Sequence, residues 1–558
     1  MNNKNRFKSI FCAGLLICAY GAMAQPGDLG TEEITVVKEY DPTLSDAIKI
    51  QVFPELVDTA AEPLILKYQI MPLEYRTTFE PDPIVPARIS KTKLDKLYKN
   101  YLEVGYGNYT TPYLFFSHSS RRQRNWSGGI SLRHLSSQGG IDDYAFNGFG
   151  QNNVSAFGSR YYNNYTLSGR LYYDHDRVHF YGNTAVDAAK ETIRQDYHSV
   201  GAVFAFKSAK EREASFFDGI EIDYMRFFDA YSGEENNLQF KSEFSVPVKE
   251  ELFRLDVDAQ YLNTAFDTLS QDYFIMAVKP RIESTYGALH FTLGIHAYIT
   301  SDLTSESTRA NFFPQIDVTY SLVDDILIAY GGWDGQVSPN SYRSLTLENP
   351  FIQDYFQPDV TIQKGRLFAG LKGALSAQAS FNVQAQFSSY DDYVLFYNNP
   401  YAPSAGALDT NRFKVTYDDM RIFSIMGEVF FQTSDKFTAG LRGEFNSYSP
   451  DQVAAAWNLP ALRLTAMGKY ALGEKIYLNL DAFLVGERQV LPNSLAGVPD
   501  KAEVLPAYFD LNLGAEYRYS ELLSAFLRVN NLTASKYDLW LNYPAQRFNV
   551  LGGFTYRF

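Results

Sequence analysis

From residue 98 to the end of the chain, apolar and polar positions alternate one by one in segments of 10–14 residues. Residues 252–261 place Phe253, Leu255, Val257, Ala259 and Tyr261 on one side and Arg254, Asp256, Asp258 and Gln260 on the other. Residues 510–519 set Leu511, Leu513, Ala515, Tyr517 and Tyr519 against Asp510, Asn512, Glu516 and Arg518. Residues 476–486 set Ile476, Leu478, Leu480, Ala482 and Leu484 against Asn479 and Asp481, and residues 437–446 set Phe437, Ala439, Leu441 and Phe445 against Thr438, Arg442, Glu444 and Asn446. A period of two over such lengths predicts half-buried β-strands. Short turns are expected near residues 520, 472, 434, 375, 323, 287, 249, 211, 175 and 122. Longer loops are expected at 532–546, 488–504, 448–457, 389–419, 338–361, 300–308, 264–271, 231–236, 187–195 and 136–158, with a tight one at 107–111. These connections join about 22 strands, an even count that puts both ends of the sheet on one side.

Such strands are longer than the ~5–6 residues usual in globular sheets and match a tilted bilayer crossing of ~9–11 residues. Their polar face carries full charges, which a sandwich core does not tolerate and a watery lumen does. Arg254, Asp256, Asp258, Arg442, Glu444, Asp481, Asp510, Glu516 and Arg518 are the expected lumen charges, joined by Lys241, Glu243 and Arg557. Mixed signs suit either a solvated, internally paired wall or a filter built from charge rings. Short turns on one side and longer loops on the other fit a transmembrane antiparallel β-barrel.

Composition sharpens this reading. Aromatic residues make up 16% of the 558, with 41 Tyr and 42 Phe, while charged residues reach only 20%. Mean hydropathy is nonetheless −0.24. A barrel with aromatic girdles outside and polar residues inside averages to these values. Tyr161, Tyr162, Tyr172, Tyr173, Tyr517 and Tyr519 are expected near strand ends. A net charge of −14 argues against nucleic acid as a partner. No cofactor is implied. Asp174-His175-Asp176 and His179 fall on an expected turn, where Asp is common anyway, so no metal site is assigned. Ser119, Ser120 and His134 lie on different strands and form no readable nucleophile–base pair, so no enzyme activity is expected.

Two zones precede the barrel. Lys4, Arg6 and Lys8, the apolar run Ile10 to Tyr20, and Ala22-Met23-Ala24 have the layout of a secretory signal peptide over residues 1–24. Its removal takes both cysteines and three positive charges, and leaves a formal charge of −17. Residues 25–97 contain Pro42, Pro54, Pro63, Pro72, Pro81, Pro83 and Pro86, which excludes long helices and central strands. They are expected to form an extended periplasmic arm with one short helix near residues 90–99. The barrel occupies residues 98–558.

The end of the chain supports a resemblance. Phe554, Tyr556 and Phe558 share one face of the last strand, resembling the signal that the barrel assembly machinery reads in outer-membrane barrels. Val529-Asn530-Asn531-Leu532, Lys536-Tyr537, Tyr543-Pro544 and Phe548-Asn549-Val550 together resemble the C-terminus of TonB-dependent receptors, which are 22-stranded barrels with a plug in the lumen. Tyr101 to Ser119, including Gly105-Tyr106-Gly107-Asn108-Tyr109-Thr110-Thr111, resembles a plug-less group of such receptor-like proteins in Bacteroidota. The resemblance implies a place in the outer membrane of a Gram-negative bacterium, in contact with its lipid, and passage of solutes like a porin or an energised receptor. Residues 25–97 are too short for a plug, which needs roughly 120–150 residues. Within Thr31 to Val37, the residues Glu33, Ile34, Thr35, Val36 and Val37 resemble a TonB box, a strand-forming segment that pairs with TonB. The same segment suits another periplasmic partner. Asp58-Thr59-Ala60 matches an O-glycosylation tripeptide of Bacteroidota. The alternative to transport is a structural or accessory subunit of an outer-membrane complex, with its lumen closed by the arm or a partner.

Overall fold

The computed structural model describes residues 97–558, apart from 121–122, 183–185, 209–215, 399–411, 492–501 and positions 268, 325, 354 and 435. The leader, the arm up to residue 96, Glu33 to Val37 and Asp58 to Ala60 lie outside the described residues. Strands are numbered β1–β26 in chain order. Twenty-two of them form one antiparallel sheet in which each strand pairs with the next. The sheet closes where β1 (Asn100–Gly107) meets β26 (Asn549–Arg557), from Tyr101↔Arg557 to Gly107↔Leu551. Phe554, Tyr556 and the adjacent Phe558 therefore lie on or beside the closing strand. Gly553 makes this approach possible, because a Cβ there would stand 2.1 Å from the Val104 carbonyl oxygen and 2.7 Å from the Gly105 Cα.

Strand length runs from 8 residues in β1 to 22 in β16 (Phe413–Ser434). Seven of the ten expected short turns lie where the alternation breaks, and those near residues 122 and 211 fall outside the described residues. The exception is residue 175. It sits inside β5 (Tyr165–His179), and the turn falls at 162–164, between β4 (Phe149–Tyr161) and β5. Tyr172 and Tyr173 are accordingly within a strand rather than at its end. The expected loop at 136–158 shortens to 138–148, because β4 already begins at Phe149. Residues 97–99 are not helical.

The alternation sorts the barrel wall. On β9 (Glu251–Phe266), Phe253, Leu255 and Tyr261 are exposed. The same holds for Leu441 on β17 (Phe437–Pro450), Leu478 and Leu480 on β19 (Ile476–Val485), and Leu513 on β22 (Tyr508–Arg518). An exposed apolar surface running around a whole barrel far exceeds the few hundred Å² that soluble monomers leave uncovered. It is the lipid-facing belt of a transmembrane barrel.

Buried hydrophobic residues gather in the long loops and on the parts of the strands that lead into them. The loops carry the only α-helix among the described residues, α1 (Tyr342–Glu348), and two small hairpins. The hairpins are β20–β21 (Arg488–Val490 and Glu503–Leu505) and β24–β25 (Asp538–Trp540 and Tyr543–Pro544). Ser341 caps α1 by accepting the Ser344 N–H at 3.1 Å.

Candidate functional site

The segment 340–359, between β13 (Leu327–Pro339) and β14 (Val360–Ser376), folds inward. Arg343 on α1 donates to Ser199 Oγ at 2.8 Å and to Asp174 Oδ2 at 3.1 Å. Ser199 and Asp174 alternate with the exposed Val200 and Tyr173 on β6 (Arg194–Ser208) and β5. They therefore mark the inner face, and α1 lies within the mouth of the barrel.

Tyr342 is the anchor of this segment. Its ring is fully buried and packs against Phe227, Phe266 and Phe356, with centroids 5.0–5.8 Å away. Its hydroxyl donates to Asp229 Oδ2 at 2.6 Å. Asp229 also accepts from Gln195, and its other oxygen accepts the N–H groups of Tyr231 and Gly233 at 2.9 Å each. One carboxylate thus sets both a neighbouring turn and the position of Tyr342. The Tyr342 N–H donates to Glu235, at the loop end of β8 (Glu234–Val248), outside the apolar belt. Glu235 is 0% exposed, and its Oε1 has no hydrogen-bond partner among the described residues. Burial pushes its carboxyl up to about 7, against the opposing effect of hydrogen bonds from Tyr342, Ser341, Arg343 and Thr264.

Other loops complete a hydrophobic core around this anchor. Tyr543 stacks on Phe351 at 3.7 Å and meets Tyr181 edge-on at 4.9 Å, while the Tyr181 hydroxyl donates to the Pro544 carbonyl at 2.9 Å. Trp540 packs on Phe396 and Phe413. The Phe413 N–H donates to the Phe351 carbonyl at 2.8 Å. Arg412, just before β16, lies 4.4 Å from the ring centre of Phe180, just after β5. Those two strands are eleven apart in a sheet of 22, so this contact joins opposite sides of the barrel. The long loops form a cap over one mouth, held by packed aromatics.

Beneath α1 a polar cavity of about 220 Å³ opens toward the lumen. Asp223, Asn237, Gln239 and Arg343 line it, and Asp223 Oδ1 is buried with no partner among the described residues.

The sequence-selected charges lie on strands lower in the wall, mostly in pairs. Asp256 pairs with Arg281, and Arg281 and Arg254 each reach Glu283 at 3.0 Å. Asp258 holds Lys279 at 2.6 Å. Glu516 holds Arg518 at 3.2 Å, and Glu444 lies 3.9 Å from Arg442. Asp510 accepts the Tyr537 hydroxyl at 2.6 Å. Asp481 stands opposite Asn512 and Met467 in the ladder. Of these only Asp510, through Tyr537, touches a long-loop residue in these contacts. Sequence reasoning missed Glu235, Tyr342, Tyr543 and Arg412. Asp174, His175, Asp176 and His179, expected on a turn, are strand residues of β5, and no group of metal-ligating geometry occurs among the described residues.

Neither a protein-family model nor a curated protein sequence matches this chain. Solved structures do. The FrpB iron transporter from Neisseria meningitidis (F3-3 variant) superimposes with a TM-score of 0.63 at 11% identity, over 83% of this chain and 82% of that one. The siderophore receptor PirA from Acinetobacter baumannii gives 0.63 at 10% identity, over 84% and 81%. A mutant of the ferric enterobactin receptor PfeA from Pseudomonas aeruginosa gives 0.60 at 10%, over 82% and 80%. At such identities the likeness establishes the barrel fold.

Proposed function

We propose that this chain is a receptor- or transporter-like barrel for solute passage across the outer membrane of a Gram-negative bacterium, and that its own loop cap is the gate. The observation that carries this reading is the contact of Arg412 with Phe180 across the barrel, within a continuous aromatic core. Three further points support it: the apolar belt, the polar cavity under α1, and the structural likeness to an iron transporter and to siderophore receptors. The paired wall charges favour a solvated lining over a selective ring. In this reading residues 1–24 are a leader and residues 25–97 a plug-less periplasmic arm. The arm offers Glu33, Ile34, Thr35, Val36 and Val37 to TonB or another periplasmic protein. Phe554, Tyr556 and Phe558 engage the assembly machinery.

Replacing residues 340–359 by a short Gly-Ser turn tests the gate, since Pro339 and Val360 are already paired neighbours. The variant should conduct in planar bilayers and sensitise cells to large polar antibiotics, with the parent barrel closed. Equal, low conductance in both would remove the cap from the mechanism. Thr35→Pro tests the energised version, because proline cannot complete an added strand. Solute uptake that survives this change excludes strand pairing with TonB.

One observation favours a second reading, a non-transporting accessory subunit. Buried aromatics of the cap belong to one hydrophobic cluster, which would let the loops shut the barrel without arm or partner. Stable copurification with other envelope proteins, and silence of the shortened-loop variant in uptake assays, would favour it.

A further inference from the structure

The outer wall changes character abruptly over β3 (Trp126–Ser137), β4, β5 and β6. Register places Leu132, Val154, Tyr173 and Val200 in one cross-strand row, all on the lipid-facing side. The next row on the same face is His134, Asn152, His175 and His198. The row after that is Ser136, Gly150, Arg177 and Asp196. Two residues along a strand advance about 7 Å. The wall therefore passes from hydrocarbon-compatible to hydrogen-bonding and then to charged within the depth of one headgroup layer.

These side chains are organised. His134 Nδ1 meets Asn152 Oδ1 at 2.6 Å, Asn152 Nδ2 meets His175 Nδ1 at 3.0 Å, and His175 Nε2 meets Asp196 Oδ1 at 2.9 Å. Asp196 is nearly buried and holds two cations, Arg177 at 2.6 Å and Arg194 at 2.8 Å, each through Nε. That arrangement fixes both guanidinium planes and leaves their terminal NH₂ groups for a further acceptor. A cavity of about 270 Å³ lies against them, with Gly150 in its lining and Lys190 from the following loop at its rim. Its lining holds three cations, Arg177, Arg194 and Lys190, against one carboxylate, Glu191, and Asp196 stands behind the two arginines. The volume sits just below the ~300 Å³ at which drug-sized sites begin, which suits a headgroup rather than a whole lipid.

We propose that this cavity binds the phosphate of an anionic glycolipid headgroup in the outer leaflet, with Arg177, Arg194 and Lys190 on the phosphate and the hydrogen-bonded row of His134, Asn152 and His175 as its polar wall. The site lies on the face opposite the lumen. It requires that the barrel span the membrane, and it is independent of whether the cap opens or solute passes.

The test uses the full chain, delipidated in detergent and examined by native mass spectrometry. The ligands are a diphosphorylated glucosamine glycolipid, the same lipid after phosphatase treatment, and inorganic phosphate. The phosphorylated lipid should be retained, and its dephosphorylated form should bind at least about tenfold more weakly. Gly150→Val narrows the cavity without removing a charge. A Cβ at Gly150 meets nothing closer than 3.8 Å, so the barrel still folds, which its heat-dependent gel shift verifies. This variant and Lys190→Gln should each lose lipid. Equal binding of both lipid forms, or full retention by Gly150→Val, overturns the proposal. Inorganic phosphate that displaces the lipid completely and binds as tightly makes this a free-anion site, which also overturns it.

Discussion

Substituting Glu235→Gln should abolish a pH dependence built into the cap. With the loop closed, burial pushes the Glu235 carboxyl from 4.5 up to about 7. With residues 340–359 withdrawn, the same carboxyl faces water and titrates at its ordinary value. Between those two pH values the closed form holds a proton that the open form has lost. Closure is therefore strongest below about pH 4.5, weakens as pH rises toward 7, and is level above it. At 1.36 kcal/mol per pK unit the whole window is worth about 3 kcal/mol, or roughly a hundredfold in the ratio of open to closed cap. Glutamine is neutral throughout and still accepts the Tyr342 N–H and the Thr264 hydroxyl. It should hold the cap at pH 8 as firmly as the parent chain does in acid. Hydrogen exchange of peptides covering residues 340–359, corrected for the intrinsic pH dependence of exchange, measures the opening directly. A flat profile for the parent chain, or the same slope in Glu235→Gln, would exclude Glu235 as the source of the pH dependence.

Other outcomes follow from the packing. Tyr543→Ala should cost the cap about 3–5 kcal/mol, the usual loss for a buried aromatic, and raise exchange in residues 340–359 while the melting temperature of the barrel stays put. Glu103 is buried at the closing seam and pairs with Arg528. The Arg528 side chain is 44% exposed and is screened by water, so Glu103→Ala should lower barrel stability by only about 1–2 kcal/mol, read from the temperature at which the folded band disappears on gels. Leu441 is 56% exposed on the belt, so Leu441→Arg should cost about 2–4 kcal/mol in bilayer refolding and nothing in the cap. Deleting Phe558 should reduce the yield of folded barrel in cells while leaving refolding of purified chain intact. Equal losses in both settings would make Phe558 a stability residue instead of an assembly signal.

Strand count and the alternation of faces along a strand are legible in the sequence, because pleating is local. Neighbouring residues point to opposite faces wherever the chain goes, so Phe253 and Arg254 declare their sides without reference to any other strand. The one misplaced turn shows the limit of local reading. Asp174, His175 and Asp176 are common turn formers, yet they stand in a strand because Arg343 and Asp196 satisfy two of them from distant sequence positions. The cap was not legible for the same reason. Tyr342, Phe351, Tyr543, Phe180 and Arg412 lie in the long loops or at their edges, with no sustained period to mark them, and alternation puts Glu235 on the face opposite Glu234 without showing that a distant loop covers it. Which of these side chains is buried depends on loops that arise far apart in the chain and meet only after the sheet has closed. Local geometry made the barrel predictable; only closure of the ring brought residue 412 against residue 180 across the mouth.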